Sequence, residues 1–484
     1  MRVPTRLIPN SAIGQQWCVL FLSLAFYLTL FVVYYPPLCG IEDEVGFVNQ
    51  AVVWSKGAVS AEAAGFQSMT DFVPAQGRTV PWRNPGRSLI VLPFVVASGL
   101  RSIFVSGALI HVAIALTAAL IHARLGQSPL WAILVLSHPT LSIYSRTVMG
   151  DAPAGLFLLL AVFAVLSRPA PGFLAGVLIG LAVLMRYHSG VVVPFFALTL
   201  WRDSKLAQPK LEALKCLAVS GIVITLIAFY NIYLHGSPFG ATAGYFAAHF
   251  LVPNFVFYAV ALLLVWPGML VAPLVEKSRL GSLALATCFP VLSLFSFYYF
   301  HDTGSSLAET LVLGQRLLQC VLPIWIVTFA SVLDCAMLPM LERRWQVLKP
   351  ALIAAACLVL LTEQWYLFRR HEGYLRGLKA VRDELAATVP AGAVIVSNSM
   401  VLKLFGIPDP ALPRYRWIPF DGAANYATGL QTELRPWFFG VLPKRPDDEV
   451  LRRLPEFVQR YGLVPVHTVT PKLLLYAALP RQSR

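Results

Sequence analysis

The residues able to do chemistry in this chain stand out because charged side chains are scarce around them. Three carboxylates occur in succession in Gly40-Ile41-Glu42-Asp43-Glu44, directly after the apolar run 17–35. Adjacent like charges serve stability poorly unless they cap a helix N-terminus, where acids favour the dipole. The alternative use is a general base or a metal ligand, and both readings stand at this point. A fourth acid, Asp151, lies in Ser145-Arg146-Thr147-Val148-Met149-Gly150-Asp151-Ala152-Pro153. The proline two residues on makes Asp151 an expected N-cap. Cations stand nearby: Arg78, Arg83, Arg87 and Arg101 after the first apolar run, Arg146, Arg186 beside His188, and Arg316 inside the apolar run 311–333. A cation at mid-bilayer costs about 2.5–3.5 kcal/mol on insertion scales, so such residues are usually partnered and functional. Guanidinium is also a bidentate ligand for phosphate. Carboxylates and arginines together suit a phosphate-bearing lipid substrate and a group to be deprotonated.

Apolar elements must position them. Of 484 residues, 57% are hydrophobic and 13% charged, where soluble domains carry about 25% charged residues. Mean hydropathy is +0.68. This composition excludes a soluble globular protein, a disordered chain and a disulfide scaffold, and defines a polytopic membrane protein. The formal charge of +14 comes from Lys and Arg at the ends of apolar segments, which reads as anchoring beside anionic lipid and not as nucleic-acid binding. Six of the seven cysteines lie in or beside apolar segments with no CxxC pair, as small core residues do.

Eleven spans are expected, at 17–35, 102–123, 130–144, 152–166, 172–185, 191–201, 217–234, 250–275, 280–300, 311–333 and 351–368. Segment 88–100, interrupted by Pro93 and Gly99, reads as a re-entrant or interfacial helix. With it so placed, nearly all Lys and Arg of the short loops fall on one side, which puts the N-terminus in the cytoplasm and the C-terminus outside. An outer loop then covers 36–101. Within it, 45–51 reads as a helix lying in the interface, with Phe47, Val48, Ala51 and Val52 on one face. Residues 1–370 form the transmembrane domain. Residues 371–484 read as a small extracytoplasmic α/β domain, with helices at 378–387 and 447–461 and strands at 393–397, 415–420, 437–442 and 463–469.

Taken in order, Asp43-Glu44, Asn84-Pro85-Gly86-Arg87-Ser88-Leu89, His138-Pro139, Ser145-Arg146, Asp151-Ala152-Pro153 and Gly314-Gln315-Arg316-Leu317-Leu318 with Pro323 resemble the motifs of the GT-C superfamily of polytopic glycosyltransferases. The likeness covers roughly residues 15 to 335 and is to the branch using polyprenyl-phosphate sugars, the aminoarabinose transferase and protein mannosyltransferase-like branch. The resemblance implies a GT-C-like helical fold and inverting transfer of a sugar to a hydroxyl or amine on the outer face of a bacterial inner membrane. It implies Asp43 as base with Glu44 as substitute, and Asp151 orienting acceptor or sugar. Arg83, Arg87, Arg146, Arg186, His188 and Arg316 are the candidates for the substrate phosphate. A divalent ion, Mg or Mn, held by Asp43 and Asp151 would follow the members that use one. The partners implied are a lipid-linked sugar donor, membrane lipid and a glycan, lipid or protein acceptor, with no nucleic acid. A lipid-linked sugar ligase or polymerase, and a transporter or flippase, are the other classes that such a membrane surface would suit.

Overall fold

Inside a bilayer a backbone group has no partner except another backbone group, so the apolar runs close on themselves as helices. The computed structural model describes residues 10–66, 71–240, 246–299, 304, 306–336, 349–398, 401, 403–407, 409, 412–419, 437–442 and 449–478. The chain is an integral membrane protein. Among the described residues, five helices are long and apolar enough to cross a membrane: Gly14–Val33, Val105–Arg124, Pro209–His235, Ala248–Val265 and Arg279–Ser296.

In chain order, α1 (Asn10–Val33) leads through Pro36-Pro37 to α2 (Glu42–Ser55), the hairpin β1 (Phe72–Ala75) and β2 (Arg78–Pro81), and α3 (Pro85–Ser98). The bundle continues with α4 (Val105–Arg124), α5 (Ala132–Ser137), α6 (Pro139–Tyr144), α7 (Asp151–Ser167), α8 (Gly172–Met185), α9 (Val192–Arg202) and α10 (Pro209–His235). Then come α11 (Leu251–Val265), the short α12 (Ala272–Val275), α13 (Arg279–Ser296), α14 (Leu307–Leu313), α15 (Leu322–Ala336) and α16 (Lys349–Thr388).

Several expected spans are shorter or broken. Segment 130–144 divides at His138-Pro139, where proline keeps the preceding residue out of the helical region and His138 takes ψ 124. Segment 311–333 bends by 108° between its two helical halves. Arg316 lies in the short 3-10 turn Gly314–Leu318 at that bend, not within a continuous span. The expected interfacial helix is instead buried nearly all round, every residue from Glu44 to Ala51 being covered. Close helix approach relies on small residues. Gly172, Gly176 and Gly180 recur at four-residue spacing along α8, and a Cβ at Gly176 would stand 2.8 Å from the Cys216 carbonyl oxygen of α10.

After α16 the chain forms β3 (Val394–Ser397), β4 (Arg416–Pro419), β5 (Trp437–Val441), α17 (Glu449–Tyr461), β6 (Leu463–Pro465) and β7 (Leu474–Ala478). They make one five-stranded mixed sheet in the order β4-β3-β5-β7-β6. The expected strand 463–469 is shorter, β7 is additional, and the expected helix start at Asp447 lies outside the described residues. Helix α16 runs unbroken through position 370, but its partners change along its length. Phe368 belongs to the bundle core, whereas Leu375, Leu378, Val381 and Leu385 pack with the sheet.

Candidate active site

Helix α2 begins where it does because Glu44, its third residue, reaches back. Glu44 Oε2 accepts the N–H groups of Gly40 and Ile41, each at 2.9 Å, which is the acidic half of a capping box. Its Oε1 accepts the Val148 N–H at 2.7 Å and so ties α2 to the loop before α7. Successive helical residues point about 100° apart, so the three adjacent acids meet three environments. Glu42 is exposed, Glu44 is buried, and Asp43 faces a cluster of arginines.

Asp43 Oδ1 lies 2.7 Å from Arg83 Nη2, and its Oδ2 lies 3.8 Å from Arg316 Nη2. Its side chain keeps 19% of its surface exposed, so it is held yet open on one side. Burial opposes its charge, but the guanidinium groups of Arg83, Arg316 and Arg186 outweigh burial and hold its carboxyl below the usual aspartate range.

The hairpin carries Arg83 to this point. Its two-residue turn, Gln76-Gly77, has φ of +50° and +72°, the left-handed pair that matches the twist of paired strands. The hairpin tip rests on the end of α10, where Arg78 stacks over Tyr233 at 5.2 Å. At its open end Arg83 Nε donates to Asp71 Oδ2 at 2.7 Å and Nη2 to Asp71 Oδ1 at 3.2 Å. The next segment is pressed onto the end of α8, since a Cβ at Gly86 would come within 2.6 Å of the Leu184 carbonyl oxygen. That contact brings Arg83 and Arg186 to one site.

Arg186, just past α8, forms an ion pair with the fully buried Asp151. The cap of α7 is Gly150, and Asp151 is the first helical residue. The expected N-cap role therefore does not hold, because the carboxylate is directed at the guanidinium and not at its own helix. Gly150 permits the approach, as a Cβ there would lie 2.9 Å from the Met185 carbonyl oxygen. Phe47 of α2 closes the group, its ring centre 6.0 Å from the Arg186 guanidinium. His188 stands beside Arg186 and packs edge-on against Phe295 at 4.6 Å. Between α9 and α13, a few residues further on, an apolar groove of about 390 Å³ is lined by Val191, Phe195, Phe289, Leu294 and Phe297.

Two of the candidate arginines lie elsewhere. Arg87 is buried between α3 and α4, donating to Ser106 Oγ at 2.9 Å and to the Thr147 carbonyl at 3.3 Å. Arg146 donates to the carbonyls of Phe368, at 3.0 Å, and Tyr34, and to His371 Nδ1 at 3.0 Å, joining α1 to α16. The sequence reading missed Asp71, one acid in a polar loop without a motif. It also missed Tyr298, which lies within electrostatic reach of Asp43, Arg186 and Arg316 and which, within Phe297-Tyr298-Tyr299, is indistinguishable from an interfacial aromatic belt.

The donor set does not fit a divalent ion. Asp43 and Asp151 are each occupied by guanidinium groups, whose charge would repel a second cation. Among the described residues no group of three or more His, Cys, Asp or Glu is placed to hold a metal.

Burial pushes Glu44 up to about 7, against the lowering effect of the Val148, Ile41 and Gly40 N–H groups and of Lys403. An unfolded glutamate titrates near 4.5. With the folded value raised, the stabilising contribution of Glu44 is complete below pH 4.5 and is lost as pH rises to about 7. The unfolding midpoint should accordingly fall across that window, and Glu44→Gln should remove that part of the slope. Equal slopes in the two proteins would assign the titration to another group.

No family model matches the sequence, and no curated protein matches it. Solved structures do match in fold. The crystal structure of ArnT from Cupriavidus metallidurans in the apo state superposes with a TM-score of 0.58 at 13% identity, covering 97% of this chain and 99% of that one. The same protein bound to undecaprenyl phosphate gives a TM-score of 0.57 at 13% identity, covering 96% and 98%. At this identity the likeness is one of fold. The architecture is that of the ArnT structure, followed along almost the whole of both chains.

Proposed function

We propose that this chain is a membrane glycosyltransferase that moves a sugar from a polyprenyl-phosphate donor to an acceptor hydroxyl or amine, with inversion. The observation that carries this reading is that Arg83 and Arg316 meet at the partly open carboxylate of Asp43, with the charge of Arg186, from a third part of the chain, acting on the same group. The fold neighbour bound to undecaprenyl phosphate supports the choice of donor, and the apolar groove near His188 offers a surface for a prenyl chain.

Asp43 accepts the proton of the acceptor as its oxygen or nitrogen bonds to the anomeric carbon. The bond from that carbon to the phosphate oxygen breaks, and its electron pair leaves with the polyprenyl phosphate. The donor is a phosphodiester with one negative charge and the product a monoester that gains a second. Guanidinium groups at the phosphate therefore stabilise charge that grows in the transition state. They also set the base. Without donor they hold Asp43 ionised but weak, and a bound phosphate that draws on their charge returns basicity to Asp43 when it is needed. Asp151 holds Arg186 in place and through it orients the sugar or acceptor.

In this reading residues 1–370 carry the reaction in a bacterial inner membrane through about eleven spans. Residues 371–484 lie outside and cover the acceptor side. Their docking supports this, since Lys403 Nζ donates to the Gly40 carbonyl at 2.8 Å, directly before the acidic run. Asn49 Nδ2 donates to the Gly406 carbonyl at 2.8 Å.

Purified protein in sealed vesicles, offered a panel of polyprenyl-phosphate sugars with lipid, glycan and peptide acceptors, should release polyprenyl phosphate with at least one pair. The release should occur on the face where a cysteine placed at the exposed Lys472 takes an impermeant label. No release from any pair, or release on the opposite face, would overturn the reading.

A further inference from the structure

We propose that Asp71 is a positioning residue for this transferase, clamping the Arg83 guanidinium in one plane so that it presents a fixed edge beside Asp43; this rests on the reading of the site given above. Four features carry it. The contact is bidentate, through both Nε and Nη2 of Arg83, which fixes the plane of the guanidinium where a single contact would leave it free to turn. The carboxylate is 98% enclosed, with 2% of its side-chain surface exposed, and a buried acid with one cationic partner is costly unless that partner stays in place.

The backbone is bent to make this contact. Asp71 has φ of +63°, the left-handed region that non-glycine residues seldom occupy. Its carbonyl accepts the Trp82 N–H at 2.9 Å, continuing the hairpin pairing by one residue. The helix beneath is cut away to match. A Cβ at Gly46 would fall 2.3 Å from Asp71 Oδ2 and 2.7 Å from its Cβ. Gly46 is one turn along α2 from Asp43, on the same face. The base, its arginine and the clamp are therefore stacked on a single helix face that admits Asp71 only because position 46 lacks a side chain.

Arg83 Nη2 is shared between Asp71 and Asp43. With the clamp gone, the guanidinium is free to swing wholly onto Asp43, away from a bound phosphate. Asp71 thus keeps the arginine divided between the base and the substrate.

The test is a double-mutant cycle in the full chain, with Asp71→Asn, Arg83→Gln and the pair. Asparagine suits the left-handed backbone, so the hairpin should still fold. The first readout is affinity for undecaprenyl phosphate. A purely electrostatic role predicts tighter binding when the negative charge is removed. Clamping predicts binding weaker by about 10-fold, the scale of a charge-assisted contact, and less than about twofold further loss once Arg83 is already Gln. Gly46→Ala, which pushes the carboxylate off its seat, should weaken binding as Asp71→Asn does. Tighter binding, or equal losses in both Arg83 backgrounds, would overturn the proposal. The second readout is the unfolding midpoint over the same cycle. A wild-type protein that fails to bind undecaprenyl phosphate would count against the proposed function, while non-additive midpoints would still support the clamp and additive ones would reject it.

Discussion

Asp43→Asn should reduce kcat by about 10²–10⁴-fold, the usual worth of a positioned general base, while leaving the fold intact. The amide has the volume of the carboxylate but takes no proton. The loss should appear in kcat more than in donor KM, because proton removal is a transition-state event and the arginines proposed to hold the phosphate are still present. Affinity for the donor should hold or improve, since the negative charge of Asp43 beside the phosphate is gone. Steady-state kinetics with the donor identified in the vesicle assay, together with circular dichroism of the variant, checks both halves. Turnover within a few-fold of wild type would place the base elsewhere. Glu44 is the next candidate in sequence, but its oxygens already accept three backbone N–H groups, so moving it to base chemistry would require α2 to unlatch from the loop before α7.

The second large effect concerns the pair between Asp151 and Arg186. Asp151 is wholly buried. Removing its partner leaves a charge in a low-dielectric interior, at a cost of about 3–5 kcal/mol. Arg186→Met should therefore lower the chemical-denaturation stability in detergent by that amount. Adding Asp151→Leu should return most of it, because a well-packed apolar pair of similar volume is often as stable as a buried ion pair. Activity should behave differently. The repaired double variant should remain inactive, since a methionine offers nothing to a leaving phosphate. A stable and active double variant would show the pair to be a packing device alone. A single Arg186→Met variant as stable as wild type would show that Asp151 finds another partner.

Much of the membrane architecture is legible without coordinates, because it depends on composition and local order. Fifty-seven per cent apolar residues and runs of helical length define the class, and scarce charges mark Asp43, Arg83, Arg186 and Arg316 for attention because each is expensive where it lies. Breaks were less legible. His138-Pro139 contains its own signal, whereas the bend at Gly314–Leu318 does not, since its residues would continue a helix if the bundle allowed it.

What the tertiary structure decided is which charges meet. Glu42, Asp43 and Glu44 are equivalent on the page, and helix rotation alone separates the exposed acid, the one directed at the arginines and the one latching a loop. Arg83, Arg87, Arg146, Arg186 and Arg316 look alike as cations near apolar segments. Arg87 and Arg146 are taken up by hydroxyl, carbonyl and imidazole groups of neighbouring helices, while Arg83 and Arg316 meet at Asp43 and Arg186 pairs with Asp151 beside them. Asp71 offered no motif at all, and its contacts exist because a hairpin folds back over a glycine in a helix 25 positions earlier in the chain. Sequence determines the kind of environment each residue requires, because transfer energies and helix periodicity are local. The partner that satisfies it is set by which glycines let backbones approach, at Gly46, Gly86 and Gly150, and those contacts join residues far apart in the chain.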